Sequence, residues 1–73
     1  MIYLYDLVGK INNGETEITV DNMHESITIP PRGDKNIILK HFDDCMVESI
    51  IVTYSYANRC AHTHIYVSGD YKA

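Results

Sequence analysis

The residues best suited to chemistry in this 73-residue chain are its two cysteines and four histidines. In Cys60-Ala61-His62-Thr63-His64, the two-residue period of a strand puts Cys60, His62 and His64 on one face. His41 and Cys45 stand four apart, on one side of a helix if that segment is helical. Thiolate and imidazole are ligands that zinc accepts, so His41, Cys45, Cys60, His62 and His64 form a candidate ligand set. The run contains no C-x-x-C and no H-E-x-x-H, and alternating polar residues on an exposed sheet face read the same way. Ordinary free thiols and no cofactor are therefore the expectation, with a Cys45–Cys60 disulfide disfavoured in a reducing compartment. Cys60 beside His62 or His64 also suggests a thiol nucleophile and a base. Nothing in the sequence orients that imidazole, and so short a chain encloses a substrate poorly, so no enzymatic activity is expected. There is no G-x-x-x-x-G-K-[ST] and no G-x-G-x-x-G to cradle phosphate. Arg32-Gly33-Asp34 follows Pro30-Pro31 and reads as a turn.

Recognition of a partner has more to stand on. Ten acidic residues against six basic ones give a net charge of -4, with a pI near 5.3. That argues against a nucleic-acid-binding module, which carries a basic footprint. Asp43, Asp44 and Glu48, with Glu15, Glu17 and Asp21, read first as a solvated face and second as a mimic of nucleic-acid charge. Six of the seven aromatic residues are tyrosine, which binding surfaces favour because it is large, rigid and partly polar. Tyr66, Tyr71, Ile51, Asp43, Asp44 and Glu48 are the candidate contact residues, and Tyr3 or Tyr5 adds to them.

The elements that position these residues follow from composition and period. Ten Ile and five Val outnumber three Leu and three Ala, which favours strands over a helical bundle. Leu4, Leu7, Val8 and Ile11 share one helical face, and Asn12-Asn13-Gly14 suits a helix C-cap. A buried strand over 2–8 is the competing reading. Thr16, Ile18 and Val20 then alternate with polar residues, 21–25 reads as a turn, and 26–29 alternates again, which predicts a hairpin. Residues 35–42 read as a short helix capped by Asp34, with a strand over 36–41 as the close alternative.

Val47–Tyr56 and the strand after Cys60 predict a second hairpin with a two-residue turn at Asn58-Arg59. That register pairs Tyr54 with Thr63, Val52 with Ile65 and Ile50 with Val67. It sets Ile50, Val52, Tyr54 and Tyr56 on the core face and leaves Ile51 opposite Tyr66 on the far face. The predicted fold is α+β in a single domain over 1–73. An N-terminal helix packs on an antiparallel sheet of four to five strands built from two hairpins. Its core would be Leu4, Leu7, Val8, Ile11, Ile18, Val20, Ile27, Ile29, Ile50, Val52, Ile65 and Val67. Dimerisation through the far face, at Ile51 and Tyr66, would supplement so small a core. No run of 18 apolar residues and no cationic leader is present, so a cytoplasmic location with no membrane contact is expected.

The opening Tyr3-Leu4-Tyr5-Asp6-Leu7-Val8-Gly9-Lys10-Ile11-Asn12-Asn13-Gly14, with Glu17-Ile18-Thr19-Val20-Asp21 and Val47-Glu48-Ser49-Ile50-Ile51-Val52, resembles small proteins of phages and mobile elements in Gram-positive bacteria. The resemblance covers about half the chain, and its motifs are structural. It implies an accessory protein of the anti-CRISPR type, acting inside the host cell as an inhibitor of a defence nuclease or its complex. The alternative reading is a metal-stabilised or structural homodimeric module built on the Cys and His residues.

Overall fold

The computed structural model describes residues 2–11, 15–42 and 45–68. Along the chain they form α1 (Leu4–Val8), β1 (Thr16–Asp21), β2 (Ser26–Ile29), α2 (Lys35–Phe42), β3 (Met46–Ser55) and β4 (Cys60–Ser68). The expected N-terminal helix is real but short. It ends at Val8, and the N–H groups of Lys10 and Ile11 donate to the Leu7 and Val8 carbonyls in a tightening turn. The cap expected at 12–14 lies outside the described residues. No side chain caps the start of α1; the Cys45 carbonyl accepts the Leu4 N–H at 2.9 Å instead.

The ambiguous segment 35–42 is a helix. Asp34 Oδ1 accepts the Asn36 N–H at 2.9 Å and so caps α2, while Ile38 and Phe42, one turn apart, are fully buried. The preceding turn is closed by the Gly33 N–H donating to the Pro30 carbonyl at 2.9 Å. A Cβ on Gly33 would come within 2.8 Å of that carbonyl oxygen, so only glycine fits. The turn between β1 and β2 is held by side chains: Asp21 Oδ1 accepts from Met23 N–H, and Asn22 Oδ1 from His24 and Glu25 N–H.

The sheet has four strands in the order β2-β1-β4-β3 and is mixed, not antiparallel throughout. Both hairpins form as expected, but β4 lies parallel to β1, with Ile18 beside Thr63 and Val20 beside Ile65. The cause is α2. It carries the chain from β2 at one edge to β3 at the other, so that β3 runs in the direction of β2. The returning β4 must then run with β1.

The β3–β4 register also differs from the expected one, by two residues. The turn spans 56–59, Ser55 pairs with Cys60, Val52 with Thr63 and Ile50 with Ile65. A shift of two leaves every side chain on its face, so a burial argument rejects a one-residue slip and is blind to this one. A bulge at Glu48 then brings Val47 opposite Val67 and returns it to the core face.

The helices and one sheet face enclose Leu4, Val8, Ile18, Val20, Ile29, Ile38, Phe42, Cys45, Ile65 and Val67, with Leu7, Ile11, Ile27, Leu39 and Val47 partly buried around them. Ile50 and Val52 were expected in this core, and Tyr54 and Tyr56 on its face; all four are exposed. Strand β3 is one of the two sheet edges, and helices of five and eight residues do not reach over it. Among the described residues, no helix is long and apolar enough to cross a membrane.

Candidate functional site on the open sheet face

Because both helices pack on one face, the other is covered by none of the described elements. The two-residue period places Glu17, Thr19 and Asp21 of β1 there, with Thr28 of β2, Cys60, His62, His64 and Tyr66 of β4, and Ile51 of β3. The parallel register sets Glu17 beside His62, Thr19 beside His64 and Asp21 beside Tyr66. Four of them, Glu17, His62, Thr19 and Thr28, form one connected network. Glu17 Oε1 lies 3.1 Å from His62 Nδ1, and Thr19 Oγ1 lies 2.8 Å from His62 Nε2 and 2.8 Å from Thr28 Oγ1. Asn58, from the β3–β4 turn, donates to Glu17 Oε2 at 2.9 Å.

With a neutral imidazole, the carboxylate requires the proton on Nδ1, and Nε2 accepts the Thr19 hydroxyl. Thr28 then donates to Thr19, and each partner in the series is satisfied. The rings of β4 stack along the strand: His62 on His64 at 6.0 Å and 7°, and His64 on Tyr66 at 4.3 Å and 9°. His64 Nε2 is shielded from solvent and makes no hydrogen bond, while the Asp21 carboxylate faces it at 3.4 Å.

Thr19, His62 and Glu17 have the connectivity of a nucleophile, base and orienting carboxylate. A reacting carbonyl must come within about 3 Å of the hydroxyl oxygen. Thr19 is only 6% exposed, and its oxygen is already shared between Thr28 and His62. The arrangement therefore locks three strands together and closes the hydroxyl to a substrate.

The five candidate zinc ligands do not converge. Cys60, His62 and His64 share the open face, but Cys45 is buried in the core beneath the opposite face and His41 lies on α2. Among the described residues no group of three or more His, Cys, Asp or Glu could hold a metal ion. Cys45 immediately precedes the Met46–Ser68 end of the β3–β4 pair and Cys60 sits at the other, roughly 25 Å away along the strands. That is far beyond disulfide reach, and both thiols are unbridged.

Of the candidate contact residues, Ile51 and Tyr66 do share the open face, though Ile51 lies opposite His64, and Tyr66 opposite Ser49, because of the two-residue shift. Glu48 is exposed at the bulge. Asp43, Asp44 and Tyr71 lie outside the described residues. Tyr3 and Tyr5 are both exposed. Glu17 and Asp21 are no part of a free acidic face, since Glu17 holds His62 and Asn58 and Asp21 holds the Met23 N–H. The network itself was not anticipated, although its two halves were readable as alternating polar faces. No family model, curated protein or solved structure matches the chain.

Proposed function

We propose that this chain is a non-catalytic binding protein that inhibits a larger host protein by covering part of its surface. The observation that carries the reading is the open sheet face, where Tyr66, His64 and His62 stack in parallel beside the exposed Ile51. A hydrogen-bonded face with an aromatic end and a neighbouring aliphatic side chain presents area at little further cost in side-chain entropy. The resemblance to phage and mobile-element proteins supports a defence nuclease, or a complex containing one, as the target. The mild negative charge favours a protein partner over nucleic acid.

The test is affinity capture from a Gram-positive host lysate, with and without nuclease, using the native chain and a Tyr66→Ser variant. Tyr66 is half-buried, so circular dichroism must first show that the variant keeps its fold. A stoichiometric host protein, retained after nuclease treatment and lost with Tyr66→Ser, is the expected result. Recovery of the chain alone, or of nucleic acid that nuclease removes, would sink the reading.

A further inference from the structure

We propose that the exposed edge of β3 is closed by the same edge of a second copy of this chain, antiparallel, with Val52 on the two-fold axis. The proposal uses the backbone edge of β3 rather than the Tyr66 face, with Ile51 bordering both, and it does not rest on the inhibitory reading.

The open part of the edge has defined limits. At the start of β3 the N-terminal segment already occupies it, with Val47 N–H donating to the Ile2 carbonyl at 2.9 Å and Tyr3 bridged to Met46. At the other end the strand turns away after Ser55. Between Glu48, at the bulge, and the turn lie seven residues, Ser49-Ile50-Ile51-Val52-Thr53-Tyr54-Ser55. Among the described residues, none forms a ladder on the outer side.

This segment lacks the features that keep edge strands apart. It has no lysine, no proline and no charge of any kind, in a chain that carries -4 overall. Two copies therefore meet here without like-charge contact. The apolar side chains are also largely open to solvent: Ile50 is 43%, Ile51 48%, Val52 66% and Tyr54 53% exposed. Ile50, Val52 and Tyr54 continue the core face sideways, past the reach of the helices.

Symmetry selects the register. A two-fold axis normal to the sheet keeps the helices of both copies on one side, so opposed residues must point to the same face. Pairing all seven open residues sets Val52 against Val52, Ile50 against Tyr54, Ile51 against Thr53 and Ser49 against Ser55 of the second copy. Ile50 with Tyr54 is a β-branched–aromatic cross-strand pair of the favourable kind. Sliding two residues toward the N-terminus would set Ser55 against Val47, whose N–H is already bonded to Ile2. Sliding two the other way runs Ser49 into the turn. The product is a two-fold pair with one continuous eight-stranded sheet and a β2 strand at each outer edge.

The test measures the mass of the whole chain by light scattering after gel filtration, beside a Val52→Lys variant. Val52 is 66% exposed, so circular dichroism of the variant should be unchanged. The expected result is twice the 8.4 kDa chain mass, with association weakened about 100-fold or more when two lysines face each other at the axis. A second measurement places the register, in a Cys60→Ser background. Residues directly opposite in an antiparallel pair have Cα atoms about 4.5–5.5 Å apart, within disulfide range. Val52→Cys should therefore oxidise to a covalent dimer. Thr53→Cys should not, because its copies would lie about 8 Å apart. A monomer at concentrations up to about 1 mM overturns the proposal. So does a dimer indifferent to Val52→Lys, equal cross-linking at 53, or open-ended polymers in place of a closed pair.

Discussion

Glu17 is the residue on which the open face turns. A carboxylate on a central strand is costly to bury unless its oxygens are occupied, and here one accepts from His62 and the other from Asn58. Removing it leaves the His62 Nδ1–H and the Asn58 amide without their acceptor. Glu17→Ala is expected to cost about 1–3 kcal/mol in urea unfolding, and His62→Ala a comparable amount. The double variant should cost less than the sum of the two, which a double-mutant cycle measures directly. Strict additivity would mean that the pair contributes nothing as a pair. Alternation alone marks Glu17 and Thr19 on one face of β1, and His62 on one face of β4. Their adjacency depends on a parallel pairing between distant strands, for which local sequence carries no signal.

At the scale of elements, each helix is held by groups outside itself. A helix of five residues is far below the length that is stable alone, so α1 depends on its surroundings. Lys35 Nζ, from the start of α2, donates to the Ile11 carbonyl at 2.7 Å and to the Val8 carbonyl at 3.3 Å. It places a cation where the carbonyl end of α1 is exposed. Lys35→Met should therefore lower stability by about 1 kcal/mol, and Asp34→Ala should cost about as much by uncapping α2. Both are read as shifts in the denaturant midpoint at unchanged slope. The Asp34 cap was legible because the residue and the amide it holds are neighbours in sequence. The Lys35 contact was not, because it joins α2 to a turn of α1 far away along the chain.

At the scale of the whole molecule, Phe42 is the largest fully buried side chain among the described residues, and it joins α2 to the core. A chain of this length has only about 4–11 kcal/mol of folding free energy. Phe42→Ala should remove about 3–5 kcal/mol of it and leave a measurable unfolded population by circular dichroism at 37 °C. Ile50→Ala, at the uncovered edge, should cost much less in the isolated chain. That contrast reverses the sequence expectation, in which Ile50 and Val52 belong to the core and Ile38, Phe42 and Cys45 do not. Period assigns a side chain to a face; it does not say how far along that face the helices extend.

What the sequence determined by itself is whatever depends on near neighbours. It carries the α+β class, the two hairpins, the Asp34 cap, and the division of residues between the faces of each strand. These rest on side-chain period, on turn residues and on hydrogen bonds spanning a few positions, all of which read along the chain. The tertiary structure alone decided the parallel union of β1 with β4, the two-residue shift of the last hairpin and the exposure of β3. It also decided that Cys45 lies beneath one face while Cys60, His62 and His64 lie on the other. The parallel union and the edge position of β3 depend on where α2 carries the chain over the sheet. That path is chosen by the packing of Ile38 and Phe42 against strands far away in sequence, and no local pattern encodes it.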